Sequence, residues 1–347
     1  MEVVFAPDWR KGVPYQRLLA EALGRMKIKV RFLSEYKRVM PLKRLLAMRP
    51  ADILHLHWPE AYFSKKGDGL DWFRRMRFDW DLKGATRHSR LVLTGHNLLP
   101  HNRADEPYSD RNMRAAYQRA KVVFAHSPIA KDRLVETFNL EPERVRIVPH
   151  GDLSVALKTP IPQDEARASL GLKTGKLALI FGTINPYKGQ EEVIQWWRQM
   201  RPDVTLAIVG EPCSSEYQGQ IARLIGETPR IITRFSWLPE DQLRLWLSAA
   251  DVTIFNYLSI FTSGAANLAR SWGLSQLLPT RLDTVVLDEP SPFVHRFSDF
   301  GESFGQHLQA ALAIRPDYAA GADWRAACSW DRVAQLTLEG YQKAMEK

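Results

Sequence analysis

Short apolar runs rich in β-branched and aromatic residues alternate along the chain with longer stretches whose apolar residues recur at helical spacing. Such alternation is typical of parallel α/β folding. We therefore predict an α/β protein with two Rossmann-like, doubly wound domains that face a cleft, with the carboxyl ends of the strands supplying the site. The predicted strands are 2–7, 29–34, 52–58, 90–96, 121–127, 144–150, 177–183, 204–210, 230–237, 251–257 and 275–280.

The segment 158–176 is rich in proline, glycine and polar residues, which predicts a linker. A chain of 347 residues also exceeds what one hydrophobic core usually serves. We expect an N-terminal acceptor-binding domain over 1–155 and a C-terminal donor-binding domain over 156–323. The last segment, 324–347, has helical period and is expected to pack back on the N-terminal domain.

Composition points to an ordinary globular protein, with 45% hydrophobic and 25% charged residues. Cys213 and Cys328 lie far apart and match no metal or redox spacing, which fits a reducing compartment. We find no run of about 18 apolar residues and so predict no transmembrane helix. The first residues predict a strand rather than a signal peptide. We therefore expect a cytoplasmic location.

Charge is shared unevenly within the overall net charge of +9. Residues 1–150 hold 29 lysines and arginines against 17 aspartates and glutamates, a net of +12, and the remainder holds 19 against 22, a net of −3. The basic half is expected to meet an anionic partner, for which nucleic acid, an anionic membrane and a phosphorylated substrate all qualify. Because the positive charge is dispersed and no nucleic-acid-binding module is visible, we predict no nucleic-acid partner.

Three stretches of the second half resemble one enzyme superfamily, the nucleotide-sugar glycosyltransferases of the two-Rossmann (GT-B) architecture. They are FGTINPYKGQEEVI at 181–194, RIVPHGD at 146–152 and LPEDQLRLWLSAADVTIFNY at 238–257. Their order and spacing agree with that superfamily across residues 144–280. The resemblance implies that the second domain binds a nucleotide sugar.

The first half has a narrower resemblance, carried by PDWRKGVPYQRLL, HWPE and TGHNLLPH. These stretches resemble bacterial exopolysaccharide transferases, in particular the β-1,4-mannosyltransferases of xanthan-type repeat-unit assembly. The resemblance implies GDP-mannose as the donor and a polyprenyl-diphosphate-linked oligosaccharide as the acceptor. It also implies peripheral association with the inner face of the cell membrane.

The donor diphosphate is expected at Lys188, where an ammonium can neutralise the leaving group and Gly189 allows close backbone approach. Related enzymes often carry arginine after the first glycine, but here Thr183 follows Gly182, so another group must compensate. Backbone N–H groups where a loop enters a helix can compensate for the missing arginine. Ser263 is equally compatible with a simple helix cap. The residues predicted at this helix start are Thr262, Ser263, Gly264 and Asn267.

The nucleobase is expected against the loop 231–238, where apolar side chains can form a slot. Trp237 is equally compatible with packing between the domains, and the pattern does not distinguish guanine from uracil. The residues predicted to line the donor pocket here are Phe235, Trp237, Leu238 and Tyr257.

The catalytic base is expected in the first domain. Retaining relatives carry two glutamates eight residues apart, but residues 259–268 hold no acid. An inverting displacement instead needs one base that takes the acceptor proton. We rank Glu60 first and Asp8 second; His96 is expected to contact the donor sugar or diphosphate. Glu60 could instead be a solvated helix start, Asp8 a turn residue and His96 a core histidine. The predicted acceptor-binding residues are Trp9, Arg10, Trp58 and His101.

We predict no bound metal and no further cofactor. His55 and His57 point to one face without a third ligand at a matching spacing, and the Asp79-Trp80-Asp81 stretch is interpreted as a solvated helix feature. The surrounding segment 64–84 mixes cations with bulky aromatics, which suits a membrane interface. A helix packed on the sheet with a solvated basic face is the alternative.

Other functions stay open at this point. The closest alternatives are a retaining transferase, or a different donor such as a UDP-sugar, on the same fold. From another class, the chain could be a basic nucleic-acid-binding protein or a non-catalytic partner subunit.

Overall fold

The computed structural model describes residues 1–10, 12, 14–34, 39–63, 71–98, 106–172, 175–282 and 291–346, without the side chains of 71 and 106–109. They divide into two compact units. The N-terminal unit comprises Met1–Gly151 with Ala327–Lys347, and the C-terminal unit comprises Asp152–Ala326.

The N-terminal unit is built on a parallel sheet of six strands in the order β2-β1-β3-β4-β5-β6. Its strands are β1 (Glu2–Ala6), β2 (Lys29–Phe32), β3 (Ile53–Leu56), β4 (Arg90–Thr94), β5 (Val122–Ala125) and β6 (Val145–Ile147). The helices that follow the first five strands are α1 (Tyr15–Arg25), α2 (Pro41–Met48), α3 (Asp71–Ala85), α4 (Glu106–Arg119) and α5 (Pro128–Phe138).

The C-terminal unit has a second parallel six-stranded sheet, in the order β12-β11-β10-β7-β8-β9. Its strands are β7 (Lys176–Phe181), β8 (Val204–Val209), β9 (Ile231–Arg234), β10 (Val252–Ile254), β11 (Ser275–Pro279) and β12 (Val294–Phe297). Its helices are α6 (Gln163–Ser169), α7 (Gln190–Met200), α8 (Ser215–Ile225), α9 (Glu240–Ala249), α10 (Gly264–Ser271), α11 (Glu302–Ala313) and α12 (Ala322–Ala327). Apolar clusters on both faces of this sheet form its core.

The last helix, α13 (Trp330–Met345), belongs to the N-terminal unit and packs against α1 and the central strands. Its Gly340 lies so close to the Phe124 ring that an added Cβ would overlap it. Its Tyr341 hydroxyl lies 2.7 Å from His55 Nδ1 on β3. In the described part of the chain no helix combines the length and the apolar character needed to cross a bilayer.

The prediction of two parallel α/β sheets is confirmed. Each of the eleven predicted strands overlaps an observed strand, and each of these observed strands ends one to three residues earlier than predicted. The residues left over, polar and apolar, leave the ladder and enter the loops that follow the strands. The twelfth strand, β12, was not predicted. Its sequence VHRF is half polar, because it pairs on one side only, with β11.

The prediction of a linker over 158–176 is wrong in detail, because α6 lies within it. Two acidic residues in its first turn, Asp164 and Glu165, complement the helix dipole, and Ala166 is fully buried. Arg167 forms an ion pair with Asp251 at 2.6 Å, which ties α6 to the start of β10. These features are helix-start signals that the high proline and glycine content of the segment obscured.

The interpretation of Asp81 as solvated is also wrong. Its side chain is fully buried and accepts hydrogen bonds from the backbone N–H groups of Leu42 at 3.3 Å and Lys43 at 2.8 Å. It therefore caps the first turn of α2 from α3. Arg77, one turn earlier, is 5% exposed and lies 3.7 Å from Asp81, so it is not a cation available to a membrane. Phe78 likewise lies in the core, at 1% exposure.

Candidate active site

The loop after β7 brings Lys188 back to the end of that strand. Gly182 has φ +89° and Gly189 has φ +60°, backbone conformations that favour glycine. Between them a short 3₁₀ turn, Pro186–Lys188, reverses the chain. The Lys188 ammonium folds back so far that a Cβ added at Gly182 would lie 3.1 Å from Nζ. The glycine and the cation predicted for the diphosphate therefore adjoin each other.

Lys188 lies in a partly buried environment. Desolvation lowers the pKa of its ammonium from the usual value to about 8. Its Nζ is 5.9 Å from the centre of the Tyr257 ring. A lysine held in this way keeps its charge near neutral pH, and its ammonium is less solvated than that of a surface lysine. Thr183, beside Gly182, is exposed.

A second cation at the same sheet edge, Arg281, was not predicted. It donates to the Asn256 side-chain oxygen at 2.7 Å. Asn256 in turn donates to the Gly189 carbonyl at 2.7 Å and to the Glu192 carboxylate at 2.7 Å. Arg281 is thus linked through one amide to the Lys188–Gly189 turn. The sequence signal that could have identified Arg281 is its position directly after a predicted strand of a parallel sheet.

The start of α10 is organised by Ser263. The Ser263 hydroxyl accepts from the Ala266 N–H at 3.1 Å and lies 2.8 Å from the Tyr257 hydroxyl. Ser263 is therefore a helix cap, and its neighbours Thr262 and Gly264 are partly exposed at the helix N-terminus. Asn267, one turn on, is buried at 8% exposure. Backbone N–H groups at such a helix start can bind an anion.

The loop predicted for the nucleobase follows β9. Phe235 and Leu238 pack against the two apolar clusters of the C-terminal unit. Trp237 between them is 54% exposed. An exposed indole flanked by anchored side chains offers a surface on which a planar base can stack.

In the N-terminal unit, Glu60 lies in the 3₁₀ turn Pro59–Tyr62 after β3. It is 9% exposed, so the alternative of a solvated helix start does not describe it. The Asn97 amide donates to Glu60 Oε1 at 2.9 Å, and among the described residues Oε2 has no hydrogen-bond partner. Burial raises the pKa of Glu60, and the Asn97 hydrogen bond partly opposes that rise. This carboxylate is held at one oxygen, and its other oxygen is buried away from solvent.

Asp8 has a different environment. Arg10 donates from Nε to Asp8 Oδ1 at 2.9 Å and from a terminal nitrogen to Oδ2 at 2.8 Å. The guanidinium also lies 3.9 Å from the centre of the Phe32 ring. Both carboxylate oxygens are thus engaged by a neighbouring cation.

The aromatic residues predicted for the acceptor stack on one another. Trp9 and Trp58 have ring centres 4.9 Å apart, and Trp58 and His96 have ring centres 4.4 Å apart. Trp58 is 8% exposed, whereas Trp9 is half-buried and presents more of its ring. His101 lies outside the described residues.

His55 has both ring nitrogens in hydrogen bonds within the core, with Tyr341 and with Thr94, each at 2.7 Å. His57 stacks on it with ring centres 4.1 Å apart, so the two rings share a face as predicted. His57 Nδ1 lies 3.3 Å from His96 Nε2. His126 and His150, which the sequence did not single out, join this group beside His96.

Sequence comparison identifies the N-terminal unit. Residues 2–152 match the family model described as Glycosyltransferase Family 4. The chain is 26% identical over 326 residues to the GDP-mannose:glycolipid 4-beta-D-mannosyltransferase of Xanthomonas campestris pv. campestris, covering 88% of this chain and 84% of that protein. It is 28% identical over 229 residues to the D-inositol 3-phosphate glycosyltransferase of Pseudarthrobacter chlorophenolicus, covering 62% of this chain and 54% of that protein.

Structure comparison extends the match to the whole chain. Sucrose-phosphate synthase from Thermosynechococcus elongatus has a TM-score of 0.75 at 16% identity, covering 99% of this chain and 98% of its own. HepE from Anabaena, solved with UDP-glucose, has a TM-score of 0.72 at 14% identity, with 98% of each chain covered. The predicted resemblance is confirmed. The chain is a glycosyltransferase with the GT-B fold, and its residues 2–152 match the Glycosyltransferase Family 4 model.

Proposed function

We propose that this glycosyltransferase moves mannose from GDP-mannose, with inversion, onto a polyprenyl-diphosphate-linked oligosaccharide in exopolysaccharide biosynthesis. The activity for which the Xanthomonas relative is named supports the donor and a glycolipid acceptor. The UDP-glucose complex of HepE supports nucleotide-sugar binding in general.

The observation that carries the inverting mechanism is the placement of carboxylates. The helix start at α10 has a serine cap and a buried Asn267, and residues 259–268 hold no acid. The N-terminal unit instead holds Glu60, with a raised pKa and a carboxylate oxygen without a partner among the described residues. A single base of this kind is what an inverting displacement requires.

In the proposed reaction, Glu60 Oε2 takes the proton of the acceptor hydroxyl while that oxygen bonds to the anomeric carbon. The bond from the anomeric carbon to the diphosphate oxygen breaks, and GDP leaves with the bonding electrons. Lys188, with Arg281 and the N–H groups at the start of α10, stabilises the negative charge that develops on the diphosphate. No metal is required at the diphosphate in this scheme.

The test is transfer measured with a panel of GDP- and UDP-sugars and a synthetic polyprenyl-diphosphate oligosaccharide, followed by NMR of the new linkage. We expect GDP-mannose to be the preferred donor and the product to be β-linked. An α-linked product would overturn the inverting mechanism, and preference for a UDP-sugar would overturn the donor assignment.

We further propose that α3 lies against an anionic membrane. Trp72, Met76 and Trp80 are 62%, 59% and 68% exposed and recur at intervals of four, so they form one apolar stripe. Met48, on the adjoining α2, is 85% exposed. The N-terminal unit thus combines exposed large apolar side chains with a strong net positive charge. This combination fits a lipid surface with negative headgroups. Lys65 and Lys66 of the predicted membrane segment lie outside the described residues.

Changing the stripe to Trp72→Ser, Met76→Ser and Trp80→Ser together is expected to weaken binding to phosphatidylglycerol-containing vesicles by about 10- to 100-fold, since each side chain loses part of its apolar transfer energy. Co-sedimentation measures the bound fraction. Val155→Ser with Met200→Ser, at exposed apolar positions of the C-terminal unit, is the control. Equal loss in both variants, or no loss in the triple variant, contradicts the proposal.

A further inference from the structure

Three histidines from separate segments meet at the carboxyl edge of the N-terminal sheet. His96, His126 and His150 follow the adjacent strands β4, β5 and β6, so parallel pairing brings them to one place. One ligand nitrogen from each ring lies within 4.8 Å of the others. His96 and His150 are 6% and 9% exposed, and His126 is half-buried.

The ring nitrogens are oriented by a backbone carbonyl. His126 Nδ1 lies 2.9 Å from the Val148 carbonyl, so it must carry the proton and donate, which leaves a lone pair on Nε2. His96 Nδ1 is 3.3 Å from that Nε2. On the other side, His96 Nε2 is 3.3 Å from His57 Nδ1. A carbonyl behind one ligand and an imidazole behind the next form the outer shell that metal-ligating histidines usually have.

The histidines are held in the neutral form, which is the form that binds metals. Burial lowers the pKa of His126 to about 3 and of His150 to about 4, and it lowers the pKa of His57 and His96 well below the usual value. The Tyr15 ring packs edge-on against all four, at centroid distances of 4.9 to 5.8 Å, which limits their rotation.

We propose that His96, His126 and His150 form a binding site for a divalent transition-metal ion of the Zn²⁺ class. Three imidazoles without a carboxylate or thiolate suit Zn²⁺ and its neighbours and do not suit Mg²⁺ or Ca²⁺. Three protein nitrogens leave a fourth position for a water or a hydroxyl oxygen. The site lies within the N-terminal unit and includes His96, which the sequence pattern also predicts to contact the donor sugar or diphosphate.

Metal binding requires a change of tautomer at His96. Without metal, His96 Nδ1–H donates to His126 Nε2, and His96 Nε2 accepts from His57 Nδ1–H. With metal, His96 Nδ1 and His126 Nε2 both offer lone pairs to the ion. The His96 proton then resides on Nε2 of the same ring and is donated to His57 Nδ1. The His57 proton in turn resides on His57 Nε2. Each ring keeps one proton, so the exchange releases none. His57 is thereby a positioning residue for the site.

The test uses the full-length, tag-free protein, with Zn²⁺ titrated in competition with a chromophoric chelator and Co²⁺ absorption as a report on coordination number. We expect one ion per chain and a four-coordinate Co²⁺ spectrum. His126→Gln and His150→Gln should each weaken Zn²⁺ binding by more than about 100-fold, and His57→Ala by about 10- to 100-fold. His88→Gln, at an exposed histidine of the same unit, is the matched control and should leave binding unchanged.

Thermal unfolding supplies a readout independent of activity. Zn²⁺ should raise the Tm of the wild type and of His88→Gln, because it binds the folded state, and should leave the Tm of His126→Gln unchanged. Circular dichroism confirms that each glutamine variant is folded. Wild-type affinity in His126→Gln and His150→Gln, or a six-coordinate Co²⁺ spectrum, overturns the proposal.

Discussion

Replacing Glu60 by glutamine is expected to slow glycosyl transfer by about 10²- to 10⁴-fold, the usual contribution of a general base. Glutamine has nearly the same shape and can keep the contact with Asn97, but it cannot take the proton of the acceptor hydroxyl. The binding of GDP, which is expected in the C-terminal unit, should be unchanged. Initial rates at saturating donor, with calorimetry of GDP binding, measure the two effects separately.

Asp8→Asn is the informative comparison for that variant. The Asp8 carboxylate is already engaged at both oxygens by Arg10, so its loss should cost less than the loss of Glu60. Glu21→Gln, at an exposed carboxylate of α1, should have wild-type activity. A larger loss in Asp8→Asn than in Glu60→Gln would assign the base to Asp8.

Glu60 is also expected to set the acid side of the pH profile. Burial raises its pKa, and the Asn97 hydrogen bond lowers it by stabilising the carboxylate. The base works only when ionised, so activity falls as the pH drops through this pKa. Asn97→Ala removes the opposing hydrogen bond, which raises the pKa further. The acid limb of kcat/KM should therefore move to higher pH in that variant.

The strands and the loops that follow them could largely be predicted from sequence. The apolar runs of a parallel sheet are nearly continuous, so each strand ends where its run ends. The polar residues after 52–58 and 177–183 proved to lie in the loops beyond β3 and β7, where Glu60 and Lys188 are found. The pattern could not show that Glu60 is buried and held by Asn97, since those two residues come from different strand ends.

What sequence patterns missed depends on contacts between distant segments. Asp81 looked like part of a solvated acidic pair, yet it caps a helix that begins forty residues earlier. His96, His126 and His150 stand 30 and 24 residues apart, far from any short metal-binding spacing. Only the strand order β4-β5-β6 brings the three rings together.

Replacing Lys188 by methionine is expected to reduce transfer by about 10²- to 10³-fold, the cost of removing one preorganised group from a developing negative charge. Methionine retains the length of the side chain, so the turn at Gly182 and Gly189 should persist. GDP affinity should fall less than the rate, because the charge on the leaving diphosphate grows in the transition state. Lys158→Met, at an exposed lysine of the same unit, is the control.

The pKa of Lys188 predicts the alkaline side of the pH profile. Burial lowers that pKa to about 8, so the ammonium is charged at pH 7 and loses its proton as the pH rises through 8. The kcat/KM of the wild type, which reports groups of the free enzyme, should therefore fall above about pH 8. Arginine stays charged over the accessible range. Lys188→Arg should keep part of the activity and lose this alkaline limb. If the alkaline limb persists unchanged in Lys188→Arg, the limb belongs to another group. The main support for charge neutralisation by Lys188 is then lost.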